Sequence, residues 1–430
     1  MNRFRLFAVV VAGLLLATSA RAQNTQAASA DDTARFLAGM QPSANSPLAP
    51  LTQEPAAKQH AATFDAAFGN IEKNQLAKIR VWASANLTAP RPVMFYMFGG
   101  PDFIYADAFF PKATTYVLSG LEPVGEIPDL TKLPRGSVLQ GLRNIEGSLR
   151  SILAYSFFQT AHMSHDLNAG PVNGTLPILY VFLARSGKVI HDVSLVHLDE
   201  QGVLQSGDGT RPPSPARGVK IIFSENNGPR KTLYYFSANV SDSRGKNNAL
   251  LLFAKPLGPG DSFIKSASYL LHTLSFSQVR NFILENSSLV LQDDTGVPFA
   301  LFDPARWQSR TFGRYLGPAF GGYNQPKLTE LYQTNPPNPI EFGIGYRWRS
   351  NGSNLLLATR NPNAPEATAS IPKIDDQRKV PDDTAQVLIP VTRPMAAYPA
   401  PIYMDPNGPV HRCWVTTDRD RGFGYFRQPC

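Results

Sequence analysis

The sequence predicts an α+β fold: a large antiparallel or mixed β-sheet with helices packed on one side, plus a small disulfide-closed β tail. Three observations lead there. Between Thr175 and Lys255, strand-length apolar segments are punctuated by the turn-forming pairs Ser186-Gly187, Asn227-Gly228 and Arg244-Gly245. Helical periodicity precedes this region, from Val138 to about Leu167, and follows it, from Asp261 to Asn286. The two cysteines, Cys413 and Cys430, both fall at the carboxyl end.

Taken in order, residues 1–22 read as a secretory signal peptide. Arg3 and Arg5 form the positive region, Leu6 to Ala17 the apolar core, and Ala20-Arg21-Ala22 an A-x-A cleavage site before Gln23. A periplasmic or secreted protein is expected, without a transmembrane segment in the mature chain. The formal net charge is +8; Arg3, Arg5 and Arg21 account for three, leaving +5 on the mature chain. No Lys/Arg run concentrates that surplus, which argues against nucleic acid as a partner.

Residues 23–59, rich in Ala, Gln, Ser and Pro, read as a disordered leader. The main α+β domain is expected over residues 60–360. Ile79, Val81, Ala83, Ala85 and Leu87 alternate, which favours a strand. Val93 to Phe98 is a continuous apolar run of strand length, the pattern of a central strand buried on both faces. Thr115 to Ser119 reads as another strand. Leu142, Ile145, Leu149, Ile152 and Leu153 recur at helical steps. Leu176–Ala184, Val189–Leu198, Val219–Ser224, Leu233–Val240 and Ala249–Ala254 read as an antiparallel meander rather than a βαβ series.

Asp261 to Asp303 organises the rest. Phe263, Ala267, Leu270, Leu271 and Leu274 trace one face of a helix. Ser275 and Gln278 fit a capping box for a second helix over Phe276, Val279 and Ile283. Leu289–Leu291 and Val297–Phe299 then flank a hairpin turn at Asp293-Asp294-Thr295-Gly296. A helix is expected at Lys327–Tyr332, and a hairpin of Phe342–Trp348 with Leu355–Ala358. Residues 361–381 read as a linker, and residues 382–430 as a small β-rich module. Its short strands and Gly422-Phe423-Gly424-Tyr425 resemble bacterial SH3-like tails. A short loop in an oxidising compartment predicts a Cys413–Cys430 disulfide.

The candidate site residues are Asp102, His162, His165, Lys265 and His272. Gly99-Gly100-Pro101-Asp102 ends the central strand, where backbone amides can approach a ligand. It is similar to the HGG-type oxyanion loop of α/β-hydrolases, but no G-x-S-x-G elbow accompanies it. His162 and His165 share a helical face beside Asp166, yet H-x-x-H without H-E-x-x-H specifies no metal. Lys265, Ser268, Tyr269 and His272 share the polar face of the expected helix, offering a cation, a hydroxyl and a base. Ser262-Phe263-Ile264-Lys265 resembles the S-x-x-K motif of penicillin-binding proteins and class A β-lactamases. The companion elements are wrong: Ser237-Ala238-Asn239 precedes it, and no K-T-G follows.

No cofactor loop or coherent metal set is legible. The expected function is therefore a non-catalytic cell-envelope or extracellular binding or structural protein, with an envelope polymer or protein as partner. The alternative is an exported hydrolase built around Asp102, His162, His165 and His272.

Overall fold

The computed structural model describes residues 27–158, 170, 172–211, 213–226, 228–244, 248–349 and 351–362, with the backbone of two strands at 412–415 and 426–429. Its centre is one mixed ten-stranded sheet. The middle five strands are parallel, in the order β6 (Lys231–Ser237), β2 (Thr115–Gly120), β1 (Val93–Tyr96), β7 (Gly260–Ile264) and β8 (Ser287–Gln292). Beyond β6, the antiparallel strands β5 (Ala216–Glu225), β3 (Lys188–Leu198) and β4 (Leu204–Ser206) extend one edge. Beyond β8, β10 (Asn354–Arg360) and β9 (Trp307–Gly313) extend the other antiparallel edge.

Helices cover both faces of this sheet, not one. β1 runs to β2 through α4 (Phe103–Phe109), while β7 runs to β8 through α8 (Ser277–Asn286). The two crossovers step in opposite directions along the sheet. Right-handed crossovers that step in opposite directions must lay their helices on opposite faces. The core divides accordingly. Met94 and Tyr96 point into one cluster with α2 (Pro55–Ile71), α3 (Ala77–Asn86), α4, α5 (Arg135–Tyr155) and α6 (Leu176–Arg185). Val93 and Phe95 point into the other with α7 (Ala249–Ala254) and α8. The mixed sheet and the α+β class hold, but the meander is confined to the β3–β5–β6 flank.

Several expected elements change type. Ile79–Leu87 is helical: Ile79, Trp82 and Ala83 are buried at helical steps, whereas Val81 is 71% exposed. The apolar runs at 176–184 and 249–254 are helices buried nearly all round, where periodicity carries no signal. Pro177 in the first turn of α6, and the Asn248 side chain accepting from the Leu250 amide at 3.1 Å, mark their starts. The stretch read as a disordered leader holds α1 (Ala30–Leu37), with Ala34 and Leu37 fully buried. The Asp31 carboxylate ties it to the sheet by accepting from the Ile190 amide at 2.9 Å.

The expected first helix after Asp261 is instead strand β7, followed by an irregular turn and short 3-10 turns at Leu270–His272 and Leu274–Phe276. Leu274 is 56% exposed rather than part of a buried stripe. The second helix forms as α8 without the Ser275 cap. Asp242 serves instead, accepting from the Ser277 and Gln278 amides at 2.9 and 3.1 Å. The turn at Asp293–Gly296 exists, but β8 pairs with β10 rather than with Val297–Phe299. Phe342–Trp348 contributes only an isolated bridge between Ile344 and Arg347. Lys327–Tyr332 lies within α9 (Pro326–Thr334), as expected.

In the tail, β11 (Arg412–Val415) and β12 (Phe426–Pro429) pair as a two-stranded sheet, with Cys413 opposite Gln428. Cys430 lies outside the described residues, and with it the expected Cys413–Cys430 disulfide. Most of the expected linker and module, and the signal peptide, also lie outside them. Among the described residues, no helix is long and apolar enough to cross a membrane.

Candidate functional site

Parallel α/β sheets bind ligands beyond the carboxyl ends of their strands, where neighbouring strands leave in opposite directions. Here that switch point lies between β1 and β7. Two of the sequence candidates meet there. Lys265 follows β7, Asp102 caps α4 just beyond β1, and Lys265 Nζ stands 2.8 Å from Asp102 Oδ2.

The pair is sealed, with side-chain exposures of 2% and 1%. Asp102 Oδ2 also accepts from the Tyr96 hydroxyl at 3.0 Å, and Oδ1 from the Tyr105 amide at 3.3 Å. Lys265 Nζ donates to the Ser156 carbonyl and sits 4.2 Å from the centre of the Tyr105 ring. Burial, reinforced by the Asp102 charge, raises both tyrosine hydroxyls well above their ordinary range. They remain neutral donors. A buried ion pair survives only where its remaining hydrogen-bonding capacity is met, and here protein groups meet it.

The backbone that delivers Lys265 is strained. Ser266, Ser268 and Tyr269 take φ of 55°, 51° and 56°, left-handed conformations that ordinary residues avoid at roughly 1–2 kcal/mol each. The turn after β8 holds them. Asp293 Oδ2 accepts from the Ser266 amide at 2.9 Å, and Thr295 Oγ1 from the Ala267 amide at 2.8 Å. From above, Tyr346 donates to the Ser266 carbonyl at 2.9 Å.

Asp293 and Asp294 are the functional-type residues that sequence reasoning missed by treating them as a solvated turn. Burial, and then the neighbouring Asp294 charge, raises Asp293 to about 6. Burial raises Asp294 too, against hydrogen bonds from Tyr269 and from Asn354 Nδ2 at 2.8 Å. Two adjacent aspartates directly after a strand with an apolar centre, Leu289–Leu291, were the available signal. Glu122 was missed as well: it is 4% exposed, and its carboxylate is packed against Gly120 and Gly100. A side chain on Gly120 would collide with that carboxylate and meet the Gly100 Cα at 2.8 Å. The Gly99-Gly100 loop thus faces a carboxylate, and the Gly100 amide already donates to the Ser119 carbonyl at 2.9 Å. That amide is not free to bind an oxyanion.

The other candidates do not converge. No hydrogen bond joins His272 to Asp102 or Lys265 among the described residues. Its ring lies edge-on to Tyr269 and Tyr323, at 5.2 and 5.8 Å. Burial lowers it to about 4, so it is neutral at pH 7. Lys265, Ser268, Tyr269 and His272 share no helical face, because no helix forms there. Ser262 bonds Ser287 at 2.7 Å rather than Lys265, which disposes of the S-x-x-K reading. His162 and His165 lie outside the described residues. Among the described residues, no three His, Cys, Asp or Glu side chains are grouped to hold a metal ion.

Away from the sealed pair, an open groove of about 400 Å³ lies between Tyr315–Pro318 and one face of α9. Asn324, Gln325, Pro326, Thr329, Glu330 and Gln333 complete its lining. No protein-family model, no curated protein and no solved structure matches the chain.

Proposed function

We propose that this is an exported, non-catalytic protein that acts by binding at the cell envelope. The observation that carries the reading is the contrast between the sealed switch point and the open groove. Asp102 and Lys265 neutralise each other, and Tyr96, Tyr105 and Ser156 occupy the positions a reactant would need. The groove is accessible, but it has amides, hydroxyls and one carboxylate rather than a paired acid and base. The hydrolase alternative has less support, because Asp102 is consumed by its ion pair and His272 is bonded to neither member.

Export and the Cys413–Cys430 disulfide belong to the same reading, since an exported chain matures under oxidising conditions. The test is co-sedimentation of purified mature protein with an insoluble envelope fraction. Saturable pelleting is expected. A chain that stays in the supernatant at every concentration of the envelope fraction would overturn the reading.

A further inference from the structure

We infer that the groove between Tyr315–Pro318 and α9 is a binding site for an uncharged saccharide chain. The inference rests on the envelope-binding reading and names its ligand class.

The lining gives the chemistry. Thr329, Glu330 and Gln333 stand three and four residues apart, on one face of α9 turned toward the groove. With the Asn324 amide and the rings of Pro318 and Pro326 they form a mixed surface of amides, a hydroxyl, a single carboxylate and apolar ring faces. Amides both donate and accept, as sugar hydroxyls do. No Lys or Arg lines the groove and Glu330 does, so an anionic polymer is disfavoured. An apolar ligand would strand the amides without partners. The volume of about 400 Å³ falls within the roughly 300–1,000 Å³ typical of ligand pockets.

The walls are fixed in advance. Arg347 Nη2 donates to the Gly317 and Pro318 carbonyls at 3.1 Å each. Gln325 forms a rigid floor: its Oε1 accepts from the Phe299 amide at 3.0 Å, and its Nε2 donates to the Asp294 carbonyl at 2.8 Å. The Tyr315 hydroxyl is buried and makes no hydrogen bond to any described group. The same loop carries Phe320 and Tyr323, both half-exposed, with Tyr323 stacked on the buried Tyr269 at 4.5 Å. Aromatic faces are electron-rich, and a sugar ring offers them its C–H bonds.

The experiment is affinity electrophoresis of the full mature chain through gels containing hydroxyethylcellulose, dextran, polygalacturonate or no polymer. Retardation in at least one neutral gel is expected. Thr329→Trp fills the groove from an exposed position and should weaken that retardation at least tenfold. Gln333→Ala, which removes an exposed amide of the lining, should weaken it several-fold while leaving the thermal midpoint unchanged. Neutral-gel retardation that Thr329→Trp leaves intact overturns the inference, as does retardation in polygalacturonate alone. Absence of retardation in every gel, from a chain that still pellets with envelope, overturns the saccharide assignment but spares envelope binding. A chain that does neither loses both.

Discussion

Helix α4 is anchored at its two ends by buried ion pairs that differ in one respect. At its amino end, Asp102 meets Lys265 with neither side chain more than 2% exposed. Toward its carboxyl end, Asp107 meets Lys188 at 2.9 Å, and Lys188 also reaches Glu225, which is 47% exposed. Lys231 bonds that same Glu225 at 2.9 Å. The first pair is closed and has no substitute partner. The second is vented to solvent and shares its charges among four groups. Burial raises Asp107 despite the Lys188 charge, so it can take up a proton if its cation is lost. Similar chemistry therefore leads to different consequences on disruption.

The largest expected effect tests that difference directly. Lys265→Met leaves Asp102 buried without a cation and should cost about 3–5 kcal/mol in denaturant unfolding. Lys188→Met should cost less than half as much, because Lys231 keeps Glu225 paired and Asp107 can take up a proton. Equal losses would show that venting is irrelevant.

An apolar reference comes next. Leu271 is fully buried, and Leu271→Ala should cost about 2–5 kcal/mol. Leu270 is only half-buried, and Leu270→Ala should cost less. His272→Ala removes a neutral ring whose Nε2 has no hydrogen bond among the described residues, and it too should cost less than Leu271→Ala. Thermal melts rank the three; a His272→Ala variant less stable than Leu271→Ala would refute the burial argument.

A smaller effect comes from a buried carboxylate on which burial outweighs the nearby Arg91 charge. Asp261 is 1% exposed at the start of β7. Its Oδ2 accepts from the Arg91 amide at 2.8 Å, and Oδ1 has no partner. Burial raises its pKa from 3.8 to about 6. Between those values the folded chain binds more protons than the unfolded chain, so this group's contribution to stability falls as pH rises through the window. Asp261→Asn should therefore stabilise the protein by up to about 2 kcal/mol at pH 7 and by almost nothing at pH 3.5. His272 acts with the opposite sign. Lowered from 6.5 to about 4, it favours the folded state above 6.5, and that contribution is lost as pH falls through 4. Unfolding curves for Asp261→Asn and the parent at both pH values separate the two. A variant destabilised at pH 7 would overturn the argument, because it would mean that the ionised form of Asp261 is favoured by the fold.

What was legible in the sequence follows the physics of each segment. β1 was readable because Val93–Tyr96 is buried on both faces, and its apolar run is bounded by Pro92 before and Gly99-Gly100 after. α5 was readable because it has one buried face over twenty-one residues. α6 was not, because nine of its ten residues are buried and neither period can emerge. The turn after β7 was read as a helix because Ala267 and Leu271 do point inward, but from a left-handed backbone held by Asp293 and Thr295. Asp102 and Lys265 were each singled out, yet nothing local links them. Their meeting is a product of the β1–β7 pairing. The groove was invisible, since its lining of prolines, amides and hydroxyls has the composition of any surface loop.

The central claim is that Asp102 and Lys265 hold the fold together rather than perform chemistry. The most direct measurement compares Lys265→Met with the double variant Asp102→Leu/Lys265→Met, by denaturant unfolding and by envelope co-sedimentation. Replacing both members of a buried pair by apolar groups is often neutral or stabilising. The account predicts a single variant weakened by about 3–5 kcal/mol, and a double variant that regains most of the loss and pellets with envelope as the parent does. A double variant as stable as the parent that no longer pellets would contradict it, and so would a single variant with undiminished stability.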